Sequence, residues 1–230
     1  MNIHRTAFAG RNFEYYSEDG MLSGAIASMA VAGAKEHGVY SYMKHFALND
    51  QEGNRCDMLC TWSNEQAIRE IYLKPFEMCV KDSGCEAVMS SFNYIGNRWA
   101  GGCAPLCKTV LRDEWGFQGF VETDYFGVYG YMSADQAIRN GTDLMLVSYQ
   151  TETNNIRFRD TNGAQQAMRE SAHNILFVTV NSRAYEPANY EKATATPVWR
   201  TILIVVDVVA AAAFLGLEYM VLKGYKKREG

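Results

Sequence analysis

The chain has 230 residues, 48% of them apolar, and a formal net charge of −4. That balance fits a globular protein with a sizeable core and excludes a disordered chain. Mild acidity, and a body without a Lys/Arg-rich run, exclude a nucleic-acid surface. No apolar h-region follows Met1, so no signal peptide is expected to begin there.

In chain order, strand-like runs are expected at Val39–Phe46, Ala87–Phe92, Gly119–Asp124 and Asp143–Val147, with a strand remnant at the N-terminus. Helical patterns lie between and after them, at Asn64–Asp82, Lys108–Trp115, Ala134–Asn140 and Asn162–Ser182. In the first of these, Ile68, Ile71, Tyr72, Pro75, Phe76 and Met78 gather toward one side. Asn64 is placed to cap it and Gly84 to stop it. Strands alternating with helices imply an α/β fold with a parallel sheet, and about four such units fall short of the eight in a closed barrel.

Six cysteines fall between Cys56 and Cys107, without a CxxC pair and with few histidines nearby, so no metal site is expected. They read as small buried thiols, or as disulfide partners if the domain is extracellular. A linker is expected over 183–197. It is followed by an apolar run over 198–222, long enough to cross ~30 Å of hydrocarbon, and a basic tail over 223–230. Trp199 stands at one end, with Tyr219 and Tyr225 at the other, as in an aromatic belt. Asp207 and Glu218 oppose a span, each costing roughly 2.5–3.5 kcal/mol at the bilayer centre, but both lie toward its ends. The alternative is a buried core helix. With the basic tail cytoplasmic, the body is expected outside the cell.

Two apolar strands end in ionisable residues: Asp124 closes one, after Gly119 opens it and before Gly127, and Lys44-His45 closes another. The C-terminal strand rim is where chemistry sits in α/β barrels, so one shared pocket is expected.

The stretches Asn2-Ile3-His4-Arg5, Gly10-Arg11-Asn12-Phe13-Glu14-Tyr15-Tyr16-Ser17-Glu18-Asp19 and Lys44-His45-Phe46-Ala47-Leu48-Asn49-Asp50-Gln51-Glu52 resemble family 3 glycoside hydrolases. So do Val88-Met89-Ser90-Ser91-Phe92-Asn93, Leu111-Arg112-Asp113-Glu114-Trp115-Gly116-Phe117 and Thr123-Asp124-Tyr125. The likeness runs over residues 1–182 in the family's own order. It implies a partial TIM-type barrel lacking its first strands, followed by a single C-terminal transmembrane helix. It also implies a retaining β-glycosidase without a cofactor, in which Asp124 attacks the anomeric carbon.

Lys44, His45 and Arg11 then resemble the family's sugar-binding residues, while Met89, Phe92 and Tyr125 resemble pocket-lining positions. The bland readings are a capping or salt-bridged Asp124, a strand-end ion pair of Lys44-His45 with Asp50 or Glu52, a solvated Arg11, and core packing for Met89 and Phe92. Many members carry Tyr where Phe92 stands. The Phe-Ala-Leu-Asn-Asp that follows His45 departs from the N-acetylhexosaminidase branch and suits β-glucosidases or β-xylosidases. The first barrel strands and the domain that supplies the general acid are expected from upstream sequence. On its own, this chain is then expected to be inactive, or a non-catalytic, membrane-anchored sugar-binding remnant. Its partners are a β-glucoside or oligosaccharide and the membrane.

Overall fold

The computed structural model describes residues 1–126, 129–148, 155–185 and 196–229. Its contacts divide the chain into two units, Met1–Arg183 and Ala184–Gly230. Strands of the first unit are β1 (Tyr42–Phe46), β2 (Cys60–Thr61), β3 (Ala87–Ser90), β4 (Tyr94–Ile95), β5 (Arg98–Trp99) and β6 (Phe120–Glu122). Helices are α1 (Gly20–Glu36), α2 (Lys74–Ser83), α3 (Ala134–Arg139) and α4 (Asn162–Asn181), with α5 (Val198–Glu229) in the second unit.

A parallel sheet runs β1-β3-β6, with Met43 opposite Val88 and Val88 opposite Val121. Alternate residues of a strand point to opposite faces. One face carries Met43, Val88 and Val121, and a register shift between Met43 and Phe46 brings Phe46 to the same side, all buried against Phe76, Cys79 and Leu111. Phe46 meets the rings of Phe76 and Trp115 edge-on at 5.2 and 6.0 Å, an arrangement that aromatic quadrupoles favour.

The expected strands are shorter in the structure. Val39–Phe46 begins at Tyr42, Ala87–Phe92 ends at Ser90, and Gly119–Asp124 spans Phe120–Glu122. Asp143–Val147 is not a regular strand: it lies beside β6 with one bridge, Glu122 to Leu144. Two side chains break that ladder. Asp143 Oδ2 accepts from Val121 N at 2.9 Å, and Thr123 Oγ1 accepts from Leu146 N at 3.1 Å, both in place of carbonyls. The N-terminal remnant is not a strand either. Asn2 is tied to β1 by side-chain bonds and Ile3 to Asp50, so residues 1–6 are irregular.

The helix expected over Asn64–Asp82 is broken. A turn at Glu65–Ala67, capped by Asn64 Oδ1, passes into a π-helical stretch, Ile68–Tyr72, and α2 starts afresh at Lys74. Pro75 has no N–H to give Ile71 O and fits the first turn of a new helix. The break rotates the face: Leu73, Cys79 and Val80 are buried, whereas Ile71 is exposed. Gly84 ends α2 in the left-handed region, φ 59°, as glycine at that position does. The segment expected at Lys108–Trp115 begins earlier, at Pro105, and is π-helical to Glu114. Ala134–Asn140 and Asn162–Ser182 each form as helices one residue shorter.

Helix α1 was not expected. Its buried face is Gly20, Ser23, Gly24, Ala27, Ser28 and Val31, so small residues rather than large apolar ones mark the contact with α2. Gly20 is required there, since a Cβ would stand 2.7 Å from Ile71 O. The sheet β2-β4-β5 also escapes a periodicity reading because each strand has two residues. All six cysteines are free thiols, four of them buried.

In the second unit, Val198–Tyr225 of α5 covers 28 residues and contains an 18-residue stretch with a mean hydropathy of 2.2 and no buried side chains. It is long and apolar enough to cross a membrane, by length and composition. Of the expected linker, 186–195 lie outside the described residues, as does Gly127.

Candidate active site

The sheet delivers two residues to one place. His45, next to last in β1, is 1% exposed, and Asp124, two residues beyond β6, is 9% exposed. His45 Nε2 lies 3.5 Å from Asp124 Oδ2. Asn2 clamps the histidine backbone, donating to His45 O and accepting from His45 N, both at 2.9 Å. Arg11 Nη1 stands 3.0 Å from His45 Nε2. A guanidinium only donates, so Nε2 accepts and the ring proton sits on Nδ1, facing the Tyr15 hydroxyl at 3.5 Å. Burial, then the charges of Arg11, Lys44 and Arg55, push the His45 pKa down to about 2. The ring is therefore neutral, and its approach to Asp124 is a contact rather than an ion pair.

Asp124 is held by other groups. Tyr125 N donates to Oδ1 at 2.7 Å, and Arg55 Nη1 reaches Oδ2 at 3.3 Å. Burial raises the Asp124 pKa above its usual value; the Tyr125 amide and the charges of Arg55, Arg11 and Lys44 offset part of that rise. The result is a desolvated but supported carboxylate, the condition of a nucleophile.

Around this pair runs a ring of alternating charges. Glu14 bonds Arg11 and holds Lys44 Nζ at 2.9 Å. Although burial opposes it, the bonds from Lys44 and Arg11 keep Glu14 below the usual carboxylate range. Glu52 Oε2 takes Arg55 Nε at 2.9 Å, and its Oε1 faces Arg11 Nη1 at 3.7 Å. Asn54, at φ 61°, turns the chain between Glu52 and Arg55, a left-handed conformation asparagine tolerates.

Of the residues singled out from sequence, Arg11, Lys44, His45 and Asp124 come together. Lys44 pairs with Glu14, not with Asp50 or Glu52, and Arg11 is not a solvated loop charge. Tyr125 contributes its amide, while its hydroxyl meets Ser148 Oγ at 2.9 Å. Phe92 is core and platform at once: buried beside Trp99 and Phe126, it carries the Arg55 guanidinium 4.7 Å above its ring. Met89, half-buried, pairs in register with Glu122 and makes no polar contact.

Sequence reasoning missed Glu14, Tyr15, Glu52 and Arg55 as site residues. The Glu52-x-x-Arg55 spacing was the available signal, because an acid and a base three apart meet across one turn. Among the described residues no group of three or more His, Cys, Asp or Glu stands ready for a metal.

Comparison with known proteins gives a consistent picture. The model of the Glycosyl hydrolase family 3 N terminal domain matches residues 1–177. A beta-glucosidase of Rhizobium radiobacter is 37% identical over 191 residues, covering 82% of this chain and 23% of that protein. A second, from Ruminococcus albus, is 43% identical over 55% of this chain and 13% of its own length. Beta-glucosidase 3B from Thermotoga neapolitana, in complex with glucose, superposes with a TM-score of 0.74 at 38% identity, over 81% of this chain and 27% of that one. The chain thus spans less than a third of these relatives.

Proposed function

We propose, because the chain belongs to glycosyl hydrolase family 3, that it carries the nucleophile half of a retaining β-glucosidase or β-xylosidase. Asp124 attacks the anomeric carbon and forms a glycosyl-enzyme intermediate, which water then opens. Lys44, Arg11 and neutral His45 hold hydroxyls of the first sugar, as a set of donors and one lone pair around the carboxylate. The observation that carries this reading is a buried Asp124 at a strand end with Arg55 and the Tyr125 amide on its two oxygens.

Retaining hydrolysis also needs a second carboxyl group about 5–5.5 Å away. Glu14 and Glu52 are each occupied by two cations. Glu122 shares the face of Asp124 but sits two residues back along the strand, about 7 Å. We therefore assign no general acid within the chain and read the partial barrel as one part of the machinery. The test uses a dinitrophenyl β-glucoside, whose leaving group departs without protonation. A burst of dinitrophenol that Asp124→Asn abolishes supports the proposal, and an equal burst from the variant contradicts it.

The same proposal places the chain at a membrane, with α5 spanning it over 198–222, residues 223–230 cytoplasmic and the body 1–182 outside, joined through 183–197. The supporting feature is the apolar length of α5. Protease added to intact cells should remove the body; full protection would reverse the orientation.

A further inference from the structure

A cavity opens away from the charged residues of the candidate active site, none of which lines it. It holds about 350 Å³ and is lined by Arg5, Asp50, Gln51, Trp62, Ser63 and Tyr72 among others. A smaller cavity of about 260 Å³ adjoins it through Arg5, Asp50 and Gln51. The larger volume lies in the range of small-molecule sites.

Its wall is unusual for a surface dent. Trp62 presents its indole at 83% exposure and belongs to no core cluster. Among the described residues, four polar side chains there keep unused hydrogen-bonding capacity. Asp50 uses Oδ1 on Ile3 N at 2.7 Å and leaves Oδ2 unbonded, although the residue is 6% exposed. Gln51 donates from Nε2 to Gly53 O and leaves its side-chain oxygen free. Among the described residues Ser63 makes no side-chain bond, and Arg5 stacks over Tyr72, 5.8 Å from the ring centre, while its charge acts on Asp50.

Each alternative ligand class fails on charge. One cation and one carboxylate balance, so neither an anion nor a cation is favoured. What remains is a neutral ligand with one apolar face for the indole and several hydroxyls for a carboxylate, a guanidinium, an amide and a hydroxyl.

We infer that the Trp62 cavity is a second saccharide-binding site, with a sugar ring stacked on the indole and its hydroxyls held by Asp50, Arg5, Gln51 and Ser63. For the chemical class of its ligand the inference rests on the proposed glycosidase function. The Gln51-to-Arg55 segment joins the two sites, since Gln51 lines this cavity while Arg55 supports Asp124. A bound oligosaccharide would thus be retained next to the residues that act on it.

The test is titration of the full chain with cellobiose, followed by the Trp62 indole N–H and the Gln51 side-chain amide in ¹⁵N-correlated NMR spectra. Both signals should move saturably. Trp62→Ala should weaken the response at Gln51 about three- to tenfold, and Arg5→Ala, also at an exposed position, should weaken it too. Asp124→Asn should leave both signals responding as before. Shifts confined to Lys44 and His45, with Trp62 and Gln51 still, would overturn this site while sparing the glycosidase reading. No shift at either place would overturn both.

Discussion

Arg55 Nη1 lies 3.3 Å from Asp124 Oδ2 while its Nε is bound by Glu52 at 2.9 Å and its plane rests on Phe92. One guanidinium is thereby aimed at the proposed nucleophile by a carboxylate on one side and an aromatic ring on another. The arrangement opposes the rise in the Asp124 pKa that burial causes, through a cation that Asp124 shares with Glu52.

Removing that support has a definite sign. Arg55 lowers the Asp124 pKa against the larger effect of burial, so Arg55→Ala should raise it further. Less carboxylate is then present at a given acid pH, and the acid limb of the burst rate should move to higher pH. Arg55→Lys should restore part of the shift. An unchanged limb would mean that the 3.3 Å contact carries no electrostatic weight.

Two buried groups should shape stability against pH in opposite directions. The His45 pKa is depressed from 6.5 to about 2, so its contribution is present above pH 6.5 and declines as pH falls toward 2. Burial lifts Asp50 from 3.8 to about 6, so its contribution is present below pH 3.8 and is lost as pH rises through 6. Asp50→Asn keeps an oxygen for Ile3 N–H but removes the titration. Its stability relative to the parent should rise by about 2 kcal/mol between pH 4 and pH 6, at most ~1.4 kcal/mol per pH unit. Urea unfolding at each pH measures it.

Asp143 is expected to be structural. It accepts from Arg112 at 2.7 Å, Val121 N at 2.9 Å and Asn174 at 3.0 Å, tying β6 to α4. Asp143→Ala leaves the buried Val121 amide unsatisfied and takes the carboxylate from the half-buried Arg112, which keeps its bonds to Gly119 O and Gly141 O, and should cost about 1–3 kcal/mol of stability. Denaturant unfolding would show it; a loss below 1 kcal/mol would mean that solvent replaces the carboxylate.

Much of this was legible in the sequence, for physical reasons that differ by element. Strands β1, β3 and β6 announce themselves because each is a short run buried for most of its length, and the rim residues Lys44, His45 and Asp124 follow from where those runs end. Helix α1 stays hidden because glycine, serine and alanine make its contact face, which leaves little contrast with the exposed Met21, Leu22 and Met29. The break at Leu73 was written in Pro75 but masked by apolar residues spaced as if one helix continued. In the site, Arg55 lies 69 residues from Asp124. Such a pairing depends on how two loops fold back over the sheet, which periodicity does not encode.

The account turns on Asp124. The most direct measurement is to incubate the chain with an activated 2-deoxy-2-fluoro-β-glucoside, whose glycosyl-enzyme forms quickly and hydrolyses slowly, and to map the modified peptide by mass spectrometry. The label is predicted on Asp124, in the peptide that continues into Tyr125 and Phe126, and should be absent from Asp124→Asn. Label on Glu122, Glu52 or Asp50, or undiminished label in the variant, would contradict it.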